Sequence, residues 1–125
     1  MIAVELANRS GAAIDGDAVI ALARETLAAE GIHDGDLGIA FVAADEMRAL
    51  KRDHLGPDEA TDVLSFPIDG REPLADGVPR QLGDVVLCPD VTGDEWRWPL
   101  VHGLLHLLGY DHGDEMARRE EELVG

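Results

Sequence analysis

Apolar residues recur along the chain with two different periods, and each period predicts a different kind of element. Alternation, or a short apolar run bounded by turn residues, predicts strands over residues 2–7, 37–43, 62–66 and 83–88. Apolar residues three or four positions apart predict helices over 17–30, 45–54 and 114–124, and a further helix through 101–108. Asp17 is the predicted cap of the first helix, and Gly31 marks its end.

The order of these elements is strand, helix, strand, helix, strand, strand, helix, helix. This order is typical of a small mixed sheet with helices packed on it, in the α+β or α/β class. Residues 69–80 contain glycine and proline turn signals and few apolar side chains, which predicts an exposed loop between the third and fourth strands. Because that loop is long, the relative direction of these two strands stays open. At 125 residues, we expect a single domain over 1–125.

Composition narrows the classes of partner and location. The chain carries 26 acidic and 10 basic residues, a net charge of −16. Such a surface repels nucleic acid at long range, which argues against general nucleic-acid binding. The charge fits a solvated acidic surface, a salt-rich cytoplasm or a basic protein partner. No apolar run is long enough to span a membrane, and the first residues lack a signal-peptide pattern. We therefore expect no membrane contact and a cytoplasmic location.

Three of the five histidines, His102, His106 and His112, lie within eleven residues. His102 and His106 are four residues apart and share one face of the predicted helix, a spacing at which two imidazoles bind one metal ion. Gly109 can adopt the left-handed conformation that ends a helix, so that the chain turns back and His112 reaches the same ion. Three protein ligands leave one tetrahedral position open, as in catalytic zinc sites. We therefore predict one Zn²⁺ on these three histidines.

The spacing H-x-x-x-H-x-x-G-x-x-H matches the metzincin proteases, in which a glutamate follows the first histidine and acts as general base. Here that position is Gly103, which offers no base and keeps room either for a substrate or for close packing. The candidates for a base elsewhere are Asp111 and Asp84, with Asp62 also near a predicted strand end. Asp111 equally suits a role in orienting an imidazole, so the catalytic residue stays unassigned.

Arg48, Lys51 and Arg52 form the densest basic cluster in the chain and lie on the second predicted helix. The simpler interpretation is a solvated helix face. The functional interpretation is a patch that contacts RNA phosphates, which an acidic nuclease would need. These three residues are the RNA-binding candidates.

Three stretches together resemble the YbeY family, bacterial rRNA maturation factors described as metal-dependent endoribonucleases. Residues 102–112 resemble the histidine signature of that family, 61–67 (Thr-Asp-Val-Leu-Ser-Phe-Pro) its second block, and 82–88 (Leu-Gly-Asp-Val-Val-Leu-Cys) its third. The resemblance covers about residues 37–112 in the same order. It implies an α+β, zinc-hydrolase-like fold with a mixed four-stranded sheet, and zinc on the three histidines. It also implies the processing of ribosomal RNA, ribosomal particles as partners, and a part in ribosome quality control.

The chain departs from the family pattern in two places, one of which is the segment 89–100, which looks shorter than the family's helix there. Many members carry an arginine six residues before the threonine of the second block, and this chain has Leu55 there. The leading hypothesis is a zinc-dependent endoribonuclease that acts in ribosomal RNA maturation. Two alternatives stay open, namely a non-catalytic ribosome-assembly factor that contains zinc, and a metalloprotease, against which Gly103 argues.

Overall fold

A computed structural model describes residues 1–54, 61–111 and 113–124, and within these residues the chain forms four strands and five helices. The strands are β1 (Ile2–Arg9), β2 (Gly35–Val42), β3 (Val63–Pro67) and β4 (Gln81–Leu87). The helices are α1 (Gly16–Ala29), α2 (Ala44–His54), α3 (Pro89–Thr92), α4 (Arg97–Leu107) and α5 (Asp114–Val124). No helix in the described part of the chain is both long and apolar enough to cross a membrane.

The predicted strands and helices are confirmed, and most of their ends agree within two residues. One cap was predicted wrongly. The carboxylate of Asp15, not that of Asp17, accepts the backbone N–H of Ala18 at 3.2 Å, so α1 begins at Gly16 and Asp17 already lies in its first turn. An acidic residue there still interacts favourably with the helix dipole.

The four strands form one mixed sheet in the order β1-β2-β4-β3, which confirms the predicted α+β class. β1 pairs with β2, and β2 with β4, in parallel. β3 pairs with β4 in antiparallel orientation, which settles the direction that the sequence left open. The predicted loop over 69–80 joins these two strands as a hairpin. Because β3 is the last strand in the order β1-β2-β4-β3, it is an edge strand of the sheet.

Different helices cover the two faces of the sheet. α1 and α4 cover the face that carries Leu37, Ile39, Phe41, Val85 and Leu87, and together they form the main core. α2 packs on the opposite face, where Met47 and Leu50 contact a smaller cluster around Leu64 and Val86. α5 packs on the outer side of α4, with Met116 buried against Val101 and Leu105. The histidine helix α4 thus lies between the sheet and α5.

Gly103 lies where α4 packs tightly against the sheet. A Cβ atom built at this position would lie 2.7 Å from Val85 Cγ1 and 3.1 Å from both Ser65 Oγ and Val63 Cγ2. The hydroxyl of Ser65 donates a hydrogen bond to the carbonyl oxygen of Gly103 at 3.0 Å, so helix and edge strand are also joined by a polar contact. The sequence left two explanations for Gly103, room for a substrate or close packing. The structure supports close packing.

A Gly103→Ala substitution is expected to lower the free energy of unfolding by about 1–3 kcal/mol, because the added methyl group overpacks the helix–sheet contact. Helix propensity alone predicts the opposite sign, a gain of about 1 kcal/mol. Denaturant unfolding monitored by circular dichroism measures the change. Gly16→Ala is the matched control, since a Cβ there meets only the terminal Leu6 Cδ2 at 3.1 Å. A Gly103→Ala protein as stable as the parent would contradict the close-packing explanation.

Candidate metal centre and active site

A cleft of about 490 Å³ lies between the histidine-bearing face of α4 and the edge strand β3. Its lining comes from residues 61–67, from α4, and from the 109–111 turn that follows α4. The polar side chains of the described lining are those of Thr61, Asp62, Ser65, His102, His106, Tyr110 and Asp111. Two of these are carboxylates, and no arginine or lysine occurs among the described lining residues.

His102 and His106 lie side by side in this cleft. They occupy successive turns of α4, and their Nε2 atoms are 3.1 Å apart. The two rings meet edge to face, with centroids 4.6 Å apart and an interplanar angle of 82°. The spacing of four residues therefore brings the two imidazoles together, as the sequence predicted.

A protein oxygen faces the Nδ1 atom of each histidine. His102 Nδ1 lies 2.5 Å from Glu120 Oε1 on α5, and His106 Nδ1 lies 2.8 Å from the backbone carbonyl oxygen of Tyr110. A carbonyl or carboxylate oxygen accepts a hydrogen bond, so these contacts favour the hydrogen on each Nδ1 atom. Rings in that tautomer bind a metal through Nε2.

The turn after α4 brings the Tyr110 carbonyl to His106. Gly109 has φ +97°, a left-handed conformation that glycine adopts without steric cost, which confirms the predicted end of the helix. The N–H of Gly109 then donates to the carbonyl of His106, and that of Tyr110 to the carbonyl of Leu105, each at 3.1 Å. The reversal returns the chain toward the C-terminal turn of the helix, where the Tyr110 carbonyl accepts from the imidazole.

A buried carboxylate, Glu30, holds the outer side of this arrangement. It follows the last turn of α1, and only 4% of its side chain is exposed. Its Oε1 accepts from Tyr110 OH at 2.8 Å and from Arg71 Nη2 at 2.6 Å, and its Oε2 accepts from Arg119 Nε. Arg119 directly precedes Glu120 on α5, and Glu120 is the residue whose carboxylate faces His102 Nδ1. Glu30 therefore contacts the same helix that carries the partner of His102.

Two opposing effects set the pKa of Glu30. Burial alone raises it, but the hydrogen bonds from Arg119 and Tyr110 and the charges of Arg119 and Arg71 outweigh burial and leave the pKa below its ordinary value. In return, the hydrogen bond to Glu30 raises the pKa of Tyr110, and burial adds to that rise. The carboxylate is therefore ionised and the phenol neutral near pH 7, as this hydrogen bond requires.

The described residues contain two of the three predicted metal ligands. His112 lies outside the described residues, and within 1–54, 61–111 and 113–124 no group of three or more His, Cys, Asp and Glu side chains is arranged to hold a metal ion. The histidine pair itself fits a zinc ion. Two nitrogen ligands at tetrahedral zinc distances lie about 3.3 Å apart, and the Nε2 atoms here are 3.1 Å apart.

The structure separates the two candidate bases. Asp111 lines the histidine cleft. Asp84 pairs in register with Gly38 and lies over that residue, on the opposite face of the sheet from Val85 and α4. The sheet thus stands between Asp84 and the histidines, and Asp84 is excluded as a base for this cleft. Asp62, which was also considered, lines the cleft, and its Oδ1 accepts from the backbone N–H of Val63 at 2.8 Å.

The RNA-binding candidates lie on a different part of the molecule. Arg48, Lys51 and Arg52 belong to α2, which packs on the sheet face opposite α4, and none of them lines the histidine cleft. Arg48 and Arg52 are exposed, and Arg52 Nε pairs with Asp53 Oδ1 at 3.2 Å. Their contact with RNA phosphates stays a prediction. Leu55, at the position of the family arginine, lies outside the described residues.

Sequence reasoning missed Glu120 and Glu30 as parts of this site. A signal for Glu120 was present, because it lies four residues after the buried Met116 and so places a carboxylate on the apolar face of α5. Glu30 carried no local signal. Its partners Arg71, Tyr110 and Arg119 are 41, 80 and 89 residues away in sequence, and only the fold brings them together.

A helix that presents two imidazoles beside the edge strand of a mixed sheet defines an α+β protein of the class that binds metal through a helical histidine pair. A family model described as Endoribonuclease YbeY matches residues 5–124. Endoribonuclease YbeY of Salinispora tropica is 40% identical to this chain, and the match covers 95% of this chain and 88% of the relative. Endoribonuclease YbeY of Acidothermus cellulolyticus is 42% identical, and the match covers 94% of this chain and 83% of the relative. The chain therefore belongs to the endoribonuclease YbeY family.

A solved structure has a similar fold. The solution structure of a protein from Thermotoga maritima matches with a TM-score of 0.57 at 26% identity, over 99% of this chain and 87% of that chain. The family model and the two relatives confirm the family resemblance drawn from the three sequence blocks, and they extend it over nearly the whole chain.

The lowered pKa of Glu30 predicts a specific pH dependence of stability. Because the pKa in the folded state lies below the ordinary value of 4.5, the stabilisation is fully present above that value and is lost as the pH falls through the folded pKa. The difference in unfolding free energy between the parent and Glu30→Gln should therefore be large at neutral pH and shrink in acid. Urea unfolding across this range measures it, with the exposed Glu25→Gln on the same helix as control. A difference that does not change with pH would contradict the assignment.

Proposed function

We propose that this protein is a zinc-dependent endoribonuclease that acts on ribosomal RNA, with one ion held by His102, His106 and His112. Membership of a family of endoribonucleases supports an RNA-cleaving hydrolase. The observation that carries the metal is the histidine pair, whose Nδ1 atoms donate to protein oxygens while the Nε2 atoms lie 3.1 Å apart. A ribosomal RNA substrate places the proposed activity in the cytoplasm, on ribosomal particles. The net charge of −16 suits contact with basic proteins there.

The charge of the cleft favours a role for a cation. Asp62 and Asp111 line the cleft, and its described lining includes no arginine or lysine. An RNA phosphate entering such a cleft would be repelled by the two carboxylates. When bound, a zinc ion supplies positive charge for a phosphoryl oxygen and lowers the pKa of a water molecule to about 7.

The side chains of the cleft then have separate roles. The carboxylate oxygens of Asp111 are the proposed acceptors for the proton of the attacking water, since Asp111 is exposed in the cleft beside the histidines. Asp62 is less suited, because its Oδ1 already accepts the Val63 N–H. Glu120 and the Tyr110 carbonyl orient the two imidazoles, and oxygens in such positions fix the tautomer and the direction of the ring.

The alternative of a metalloprotease is disfavoured by the position of Gly103. A Cβ atom at 103 would already lie 2.7 Å from Val85 Cγ1, so a glutamate side chain has no room there unless the helix moves away from the sheet. The chain therefore lacks a carboxylate at the position of the metzincin general base. The other alternative, a non-catalytic ribosome-assembly factor, keeps support from the acidic cleft lining and the acidic surface, and it differs from the first proposal in predicting no cleavage.

Removal of one ligand tests the proposal. His106→Ala should lose stoichiometric zinc and RNA cleavage together while keeping a cooperative unfolding transition. The measurement is elemental analysis of zinc per chain on the same sample that is assayed for cleavage of a ribosomal RNA fragment. His33→Ala, an exposed histidine after α1, is the matched control and should keep both. Cleavage by metal-free His106→Ala at the parental rate would refute a metal-dependent nuclease. Full zinc content without cleavage by the parent would favour the assembly factor.

Asp111 and Asp84 form a matched pair for the assignment of the base. Asp111→Asn should lower the cleavage rate by about 10²–10⁴-fold, the usual contribution of a general base, and leave zinc content unchanged. Asp84→Asn removes the same charge on the far side of the sheet and should keep the parental rate. Single-turnover cleavage assays at saturating RNA measure both variants. Equal losses in the two variants would indicate a general effect of charge and contradict the role of Asp111.

A further inference from the structure

Glu30 is a buried carboxylate that the proposed reaction does not use. Its side chain is 4% exposed, and it does not line the histidine cleft. It is also badly placed for helix stability, because it follows the last residue of α1, where the helix dipole favours cations over anions. A carboxylate that is buried at this end of a helix needs partners, and Glu30 has three.

The first partner leads to His106. Glu30 Oε1 accepts from the hydroxyl of Tyr110 at 2.8 Å, and the backbone carbonyl of the same tyrosine accepts from His106 Nδ1 at 2.8 Å. Tyr110 is therefore held at both ends, by the carboxylate through its ring and by the imidazole through its backbone. The anchored ring restricts the position of the carbonyl that sets the tautomer of His106.

The second partner leads to His102. Glu30 Oε2 accepts from Arg119 Nε, and Arg119 Nη2 also donates to the carbonyl of Ala29 at 2.9 Å, so α5 is tied to the end of α1. The next residue along α5 is Glu120, whose Oε1 faces His102 Nδ1 at 2.5 Å. The position of that acceptor thus depends on the same carboxylate.

The third partner closes the cluster without touching either histidine. Arg71, in the loop between β3 and β4, donates through Nη2 to Glu30 Oε1 at 2.6 Å and through Nη1 to the Glu30 carbonyl at 2.9 Å. Two guanidinium groups and one phenol therefore surround the carboxylate. This satisfies its charge and joins α1, the hairpin loop, the turn after α4, and α5 at one point.

We propose that Glu30 is a positioning residue for the metal centre, which fixes both imidazoles through Tyr110 on one side and Arg119–Glu120 on the other. It acts by holding the two Nδ1 acceptors in place, so that both rings keep the hydrogen on Nδ1 and present Nε2. The metal-affinity part of this inference rests on the proposed zinc site. The part that concerns the tautomers does not require a metal.

The test compares zinc affinity and imidazole tautomer in three variants. Glu30→Gln keeps the size of the side chain but removes its charge, and it should weaken zinc binding by about 10-fold, the lower end of the loss that follows when the groups that orient metal ligands are themselves removed. Glu122→Gln is the matched control, because it removes the other carboxylate partner of Arg119, Glu122 Oε2 at 2.8 Å, and leaves Glu30 in place. Tyr110→Phe keeps the backbone carbonyl and breaks only the link to Glu30, so a smaller loss is expected.

Competition with a chromophoric chelator measures zinc affinity, and ¹⁵N NMR of the imidazoles in metal-free protein reports the tautomers. In the parent and Glu122→Gln, both rings should show the Nδ1–H form. In Glu30→Gln, both should shift toward a mixture, and in Tyr110→Phe only His106 should do so. If Glu30→Gln does not fold, the His106 result in Tyr110→Phe decides the question.

A purely structural Glu30 gives a different result. Glu30→Gln would then lower the unfolding temperature, yet bind zinc as tightly as the parent and show unchanged imidazole spectra, which would overturn the inference. A parent protein that binds no zinc would refute the proposed metal function instead. The tautomer shifts would still decide the role of Glu30, so the two failures can be told apart.

Discussion

The close contact between Gly103 and the hairpin formed by β3 and β4 determines where α4 lies, and the geometry of the site depends on it. A methyl group at this position would approach Val85 to 2.7 Å, so only a glycine lets the helix pack this near to the sheet. Because His102 and His106 flank that residue on the same helix, the contact fixes their distance from the edge strand. The cleft between them and residues 61–67 is the consequence. Gly103 therefore has two effects. It leaves no glutamate at the position of the protease base, and it lets the helix that carries the histidines pack close to the sheet.

Charge is distributed around the site in two layers. Inside the cleft, Asp62 and Asp111 make the described lining acidic, so an anionic substrate needs a cation for binding there. Outside it, the buried Glu30 is neutralised by two arginines and a phenol, and its pKa stays below the ordinary value. This outer cluster consists of long-range contacts and joins four separate segments of the chain. A site made of one helix and one strand is thereby tied to the rest of the fold.

Much of the fold and half of the site were predictable from the sequence, because they depend on local patterns. The periods of apolar residues predicted the strands and helices, and the i, i+4 histidine spacing predicted the pair on α4. The three sequence blocks predicted the family. The pairing of the strands was harder to predict from the sequence. The antiparallel direction of β3 depends on how the chain closes the hairpin with β4, and the composition of the 69–80 loop does not determine it. The same limit explains the error at Asp84, which was expected near a strand end but lies in the middle of β4, on the opposite face of the sheet from α4.

In the proposed site, protein oxygens hold both Nδ1 atoms, so that His102 and His106 present Nε2 to one zinc ion. A crystal structure of the zinc-loaded protein, with the ion located by anomalous scattering at the zinc edge, tests this most directly. We expect one peak about 2.0–2.1 Å from Nε2 of each of the two histidines, with Glu120 and the Tyr110 carbonyl still facing the Nδ1 atoms. A peak at Nδ1 of either ring, or only at carboxylates away from the cleft, would contradict it.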